Sequence, residues 1–184
     1  MLSAFHLGRA VRHLRQEGII AYPTEGVFGL GCDPLSSTAV TRLLQLKERP
    51  VAKGLILIAA DFAQIEPYLR LDTTELRSRL LATWPGPVTW VVTAAEWVPP
   101  WLRGGRQTLA VRVTAHPIAA ALCHGFGRPL VSTSANRSGR PPARTALAVR
   151  KHFHRSGVLL IPGRIGACFG PTAMYDAATG TRLR

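Results

Sequence analysis

The chain has 184 residues, 47% apolar and 18% charged, with 23 Lys plus Arg against 10 Asp plus Glu, a net charge of +13. That length suits one domain, residues 1–184, able to bury roughly 70% of the surface its unfolded chain exposes, and its apolar content excludes an intrinsically disordered chain. No apolar run is long enough to span a bilayer, Arg9, Arg12 and Arg15 interrupt any signal-peptide core, and the odd, scattered Cys32, Cys123 and Cys168 exclude a disulfide framework or a zinc knuckle, so a reducing cytoplasm is the expected location.

Leu7, Ala10, Val11 and Leu14 recur at helical spacing, so residues 5–17 read as an amphipathic helix ended by Gly18. The apolar run Ile19 to Tyr22 is a buried strand, and the glycines 26, 29 and 31 beyond it read as a loop. Ser36 or Ser37 caps a helix carrying Val40, Leu43 and Leu44, which ends near Lys47 to Pro50. Leu55 to Ile58 is a strand, Asp61 to Leu69 and Thr73 to Trp84 are helices, and Val88 to Val92 is a strand. Residues 99–105 form a loop, Leu109 to Val113 a strand, His116 to His124 a helix, and Pro129 to Val131 a strand opening into a polar loop from Ser132 to Pro142. Thr145 caps a helix to Phe153, Val158 to Ile161 is a strand, and residues 172–176 and 181–183 form a hairpin. The mixture predicts an α/β fold with a twisted, open, mixed sheet flanked by helices.

Residues 1–96 hold ten basic and nine acidic residues, whereas 97–184 hold thirteen basic residues and one acid, Asp176. Such a field favours anionic partners such as nucleotides or RNA, although an arginine-rich composition accounts for part of the excess. The common nucleotide and hydrolase signatures are absent: no G-x-x-x-x-G-K-[ST], no G-x-G-x-x-G after a strand, no G-x-S-x-G and no H-E-x-x-H. Neither is there histidine spacing that suits a metal.

Three segments and one arginine carry the chemical signal. In Pro23-Thr24-Glu25-Gly26-Val27-Phe28-Gly29-Leu30-Gly31, glycines would let backbone N–H groups approach an anion, or would merely form a tight turn. In Lys47-Glu48-Arg49-Pro50-Val51-Ala52-Lys53-Gly54, two of the chain's three lysines project with Arg49 from a loop running into a buried strand, a pattern that suits phosphate better than helix capping alone. Ser132-Thr133-Ser134-Ala135-Asn136 offers hydroxyls and an amide at a strand end, suited to phosphate, ribose or amino-acid groups, or to solvent. Arg112 stands among apolar residues of a strand and must face solvent or meet a partner there, because a buried guanidinium without an anion is costly.

The ordered succession P-T-E-G-V-F-G-L-G-C-D-P, K-E-R-P-V-A-K-G-L-I-L-I, W-P-G-P-V-T, L-A-V-R-V-T-x-H-P and S-T-S-A-N-x-S-G resembles the YrdC-like family over nearly the whole chain, and more narrowly its short bacterial threonylcarbamoyl-adenylate synthases. The resemblance implies an open α/β sheet with a concave, positively charged face. It also implies that L-threonine, bicarbonate and ATP are joined into threonylcarbamoyl-AMP with release of diphosphate, for N6-threonylcarbamoyladenosine in tRNAs reading ANN codons. By resemblance, Lys47 and Arg49 are catalytic. Arg49, Lys53, Thr108, Ser134, Asn136 and Arg184 bind ATP, and Lys47, Arg112, Ser132, Thr133 and Thr172 bind threonine or bicarbonate. Mg2+ is expected on the triphosphate, with no protein metal ligand. The implied partners are the tRNA threonylcarbamoyl-transferase machinery and tRNA or double-stranded RNA. A purely double-stranded-RNA-binding module, acting in ribosomal RNA maturation, is the alternative. Longer relatives carry a threonine where Gly26 stands and a histidine near Ile58, both threonine ligands, and a further C-terminal domain used as a lid beyond the position of Arg184.

Overall fold

The structure is a computed structural model that describes residues 2–184. In chain order the elements are α1 (Ala4–Arg15), β1 (Ile20–Pro23), β2 (Phe28–Gly31), α2 (Ser37–Lys47), β3 (Ile56–Ala59), α3 (Phe62–Ile65), α4 (Thr74–Leu81), β4 (Val88–Thr93), α5 (Pro100–Arg103), β5 (Thr108–Val113), α6 (Pro117–Phe126), β6 (Leu130–Ser134), α7 (Ala146–His152), β7 (Leu159–Leu160) and β8 (Ala173–Asp176). The strands form one open sheet in the order β7-β1-β2-β6-β3-β5-β4-β8. Its β1–β7, β3–β5 and β4–β8 pairs are parallel and the rest antiparallel, which is the mixed α/β sheet expected. Among the described residues no helix is long and apolar enough to cross a membrane.

Local chemistry sets the helix boundaries. Ser3, Ser36, Thr73 and Thr145 each accept a backbone N–H three residues on, closing the first turns of α1, α2, α4 and α7. Pro117 opens α6, where its missing N–H costs nothing. Pro67 turns the end of the expected 61–69 helix into a 3-10 turn, Glu66–Tyr68. The 99–105 loop contains the single turn α5.

Two segments read as loops are strand. Phe28–Gly31 pairs with β1 through a tight turn at 24–27, and Ser132–Ser134 continues β6 alongside β2 and β3. The glycines misled because they serve close packing here: a Cβ on Gly31 would stand 2.5 Å from the Val131 carbonyl oxygen and 2.8 Å from the Tyr22 ring.

The period of two along the strands divides the sheet into faces. Leu30, Val131, Leu57, Ala59, Leu109, Val111 and Val113 join a large core with Val40 and Leu43 of α2. On the opposite face, Ile20, Tyr22, Ile58 and Leu130 are covered by Ala10 and Leu14 of α1 and Ile118, Ala119 and Leu122 of α6. These two helices reach only part of that face. Ile56, Ala110 and Thr108, with Ser132 and Ser134, lie beyond them and line open clefts.

Candidate active site

Two adjoining clefts share Arg49, Leu55, Ile56 and Arg184. The first encloses about 670 Å³ of empty space, mouth included, and is lined by Thr24, Gly26, Arg49, Arg112, Ser132, Thr133, Ser134, Thr172 and Arg184 among others. The second, about 830 Å³, adds Lys53, Arg103, Arg106 and Thr108. Because the sheet is mixed, the carboxyl end of β6 lies beside the amino ends of β3 and β5, so the clefts draw on both kinds of strand end.

The charge is concentrated in guanidinium groups. Burial, and then the charge of Arg184, pulls Arg49 below its ordinary pKa; burial, and then Arg112, does the same to Arg184. No Asp or Glu side chain lines either cleft among the described residues. Arg49 donates through Nη2 to the Gly54 carbonyl at 3.0 Å, and its Nε is buried without an acceptor. Arg112 is 4% exposed; it donates through Nη1 to Thr172 Oγ1 at 2.6 Å and faces Glu25 Oε2 through Nη2 at 3.2 Å, while its Nε also lacks an acceptor. Thr172 is the junction of this wall. Its hydroxyl lies 3.2 Å from Thr89 Oγ1, and its carbonyl accepts from Arg184 Nη2 at 3.0 Å. Mutually repelling cations with spare N–H groups form a receptor for anions.

Seven of the expected residues, Arg49, Arg112, Ser132, Thr133, Ser134, Thr172 and Arg184, therefore meet in one cleft, and Lys53 and Thr108 meet in its neighbour. Lys47 and Asn136 line neither. Lys47 does not project from a loop: it is the buried last residue of α2, and its ammonium donates to the Ser134 carbonyl and, at 2.8 Å, to that of Asn136. Burial, then the neighbouring Arg49, pulls its pKa down to about 8. Asn136 turns its amide onto the carbonyls of Arg137 and Arg140 at 2.9 and 2.7 Å. Both residues thus shape the 134–140 loop.

Sequence reasoning missed Arg103, Arg106, Gly170 and Pro171 as cleft residues. The Gly104-Gly105 bend beside the first two was a usable signal, since both glycines hold positive φ. Gly170 and Pro171 belong to a strap, residues 162–172, pinned by Gly166 N–H on the Thr24 carbonyl (2.9 Å), Cys168 N–H on the Glu25 carbonyl (3.0 Å) and His116 Nε2 beside the Arg164 carbonyl (3.0 Å). The strap explains the glycine at position 26. A Cβ there would stand 2.0 Å from the Gly170 carbonyl oxygen, so backbone fills the space a threonine side chain would need. Ile58 is fully buried in the smaller core under α6, so position 58 presents no group to the cleft.

Comparison with known proteins places the chain in a family. Threonylcarbamoyl-AMP synthase of Nitrosococcus oceani is 59% identical over 175 residues, covering 95% of each chain. That of Methylococcus capsulatus is 50% identical over 183 residues, covering 100% of this chain and 98% of the relative. Among solved structures, P. abyssi Sua5 complexed with L-threonine superposes with a TM-score of 0.92 at 32% identity; it covers 99% of this chain, which spans 54% of that longer protein. Residues 12–172 match the Sua5/YciO/YrdC family, which carries the description "Telomere recombination". On this match and these identities, the chain belongs to the Sua5/YciO/YrdC family.

Proposed function

We propose that this chain makes threonylcarbamoyl-AMP from L-threonine, bicarbonate and ATP. The observation that carries the reading is the meeting of Arg49, Arg112 and Arg184 in one cleft with the hydroxyls of Ser132, Thr133, Ser134 and Thr172. The named synthases at 50–59% identity and the threonine complex of the Sua5 relative supply the substrate class.

In this reading the threonine amine attacks bicarbonate carbon, and water leaves to give a carbamate. A carbamate oxygen then attacks the α-phosphorus of ATP, the bond to the β-phosphate breaks, and diphosphate departs. The reactants are anions, so the protein's contribution is neutralisation and alignment. Arg49 and Arg184, at the junction of the clefts, bear on the reacting phosphate. Lys53, Arg103 and Arg106 line the place for the departing diphosphate, and Thr108 lies beside them. Arg112 and Thr172 take the threonine end, with Ser132, Thr133 and Ser134 donating along the floor. Lys47 and Asn136 act from behind, by holding the 134–140 loop. Mg2+ would ride on triphosphate oxygens, since among the described residues no Asp or Glu side chain lines the clefts. The product would serve threonylcarbamoyl transfer to tRNA in the cytoplasm, where Cys32, Cys123 and Cys168 stay free thiols. Three guanidinium groups focused in a cleft suit a small ligand better than duplex RNA, which asks for cations spaced along phosphates.

The test is diphosphate release with ATP, L-threonine, bicarbonate and Mg2+, with the adenylated carbamate identified by mass spectrometry. Release that depends on threonine supports the reading, and its absence overturns it.

A further inference from the structure

Arg112 is held from behind by a carboxylate that does not itself line the cleft. Glu25 lies in the turn between β1 and β2 and is 6% exposed. Its Oε2 stands 3.2 Å from Arg112 Nη2. Its Oε1 accepts from Thr114 Oγ1 at 2.6 Å and from the Ala115 N–H at 3.2 Å, both just past the end of β5. The Glu25 carbonyl also accepts from Cys168 N–H, in the strap that leads to Thr172, the second anchor of Arg112. Two sides of one guanidinium are thus fixed by parts of the chain that are themselves tied together, and Arg112 borders the cleft between them.

We propose that Glu25 is a positioning residue: it aims Arg112 so that the side of the guanidinium bordering the cleft meets the carboxylate of the amino-acid substrate, and Thr114 aims Glu25. The assignment rests on the function proposed above. Its physical content is orientation rather than charge. A carboxylate behind the cleft lowers the positive potential felt by every anion, so removing its charge alone would tighten ATP and threonine together. Releasing the guanidinium instead weakens only the ligand that Arg112 must meet in a fixed geometry.

Glu25→Gln keeps the side chain's size and removes the charge, and steady-state kinetics with each substrate varied in turn separates the cases. The expected result is a threonine KM raised about 10-fold or more, as when one partner of a buried pair is lost, with the ATP KM within about two-fold of the original. Thr114→Val, which loosens Oε1 alone, should shift the threonine KM in the same direction by a smaller factor. Glu25→Asp, which keeps the charge but is one methylene too short to span Arg112 and Thr114 together, should also raise the threonine KM with the ATP KM little changed. If Glu25→Gln does not fold, the same split read in Thr114→Val and Glu25→Asp decides. An unchanged threonine KM, a fall in both KM values, or a parallel rise in both in folded variants overturns the proposal while leaving the function standing. Absence of threonine-dependent diphosphate release by the unmodified protein overturns the function, and this inference with it.

Discussion

Gly26→Ala adds one methyl group to the turn that enters the cleft, and the structure specifies what that group meets. Its Cβ would stand 2.0 Å from the Gly170 carbonyl oxygen, 3.1 Å from the Gly170 carbonyl carbon and 3.2 Å from the Cys168 carbonyl oxygen. All three atoms are backbone, so no side-chain rotation relieves the contact. The strap must retreat by at least about 1 Å, which strains the bonds from Gly166 and Cys168 to the 24–25 segment. Two hydrogen bonds at about 1 kcal/mol each, or overpacking at about 1–3 kcal/mol, give the same loss of roughly 2 kcal/mol. For a chain of this size that lowers Tm by about 4–8 °C. The same retreat moves Thr172, which accepts from Arg112, so the threonine KM should rise about 10-fold, each decade being about 1.4 kcal/mol. Differential scanning calorimetry and threonine-dependent diphosphate release measure the two effects. Gly8→Ala is the control: it lies in α1 with nothing within 4 Å of its Cβ, and should gain about 0.5–1 kcal/mol. Gly26→Ala with the parent Tm and threonine KM would refute the argument. Gly26→Thr should behave worse than Gly26→Ala, because it displaces the strap instead of adding a ligand.

Three further outcomes are expected. Arg49→Ala should cut turnover about 100-fold or more, in the range of lost charge clamps on phosphoryl groups, and near-normal turnover would remove Arg49 from the reacting centre. Thr172→Val deprives a buried guanidinium of its 2.6 Å acceptor and should cost about 1.5–3 kcal/mol in urea unfolding; a loss below about 0.5 kcal/mol would contradict the junction role. Lys47 has a folded pKa of about 8, against 10.5 as its ordinary value, so the unfolded chain binds more protons between these values. The stability of the protein relative to Lys47→Met should therefore be lowest below pH 8 and rise as pH climbs to 10.5, by roughly 3 kcal/mol in all. A difference that stays constant over that range would show that Lys47 is not held in a desolvated site.

Local pattern made most of the scaffold legible. Apolar runs located β1, β3, β4, β5 and the start of β6, and capping hydroxyls at 36 or 37 and at 145 located two helix starts, because both signals act over four or five residues. The same logic failed at Phe28–Gly31 and Ser132–Ser134. There the strand is made by pairing with chain far away, Gly29 with Ser134 and Ile56 with Ser132, and neither glycine nor serine announces it.

The chemistry divides in the same way. Residue type alone pointed Arg49 and Lys53 toward phosphate, and left Arg112, Ser132 and Ser134 open between a partner and solvent, since scarce lysines and an arginine inside an apolar strand are informative without coordinates. Which of them face the ligand is a matter of tertiary contact. Lys47, two residues from Arg49, points the other way, into carbonyls 87 and 89 residues further along the chain. Glu25, unassigned by its sequence, becomes the partner of Arg112 because the β1–β2 turn reaches Thr114 and Ala115 at the end of β5. Sequence by itself pointed to a class of partner, anions or nucleotides, because charge and hydrogen-bonding capacity are properties of side chains. Only the tertiary structure decided the division of labour between groups that face the cleft and groups that hold them, because buried charges must find partners, and partners are assigned by packing.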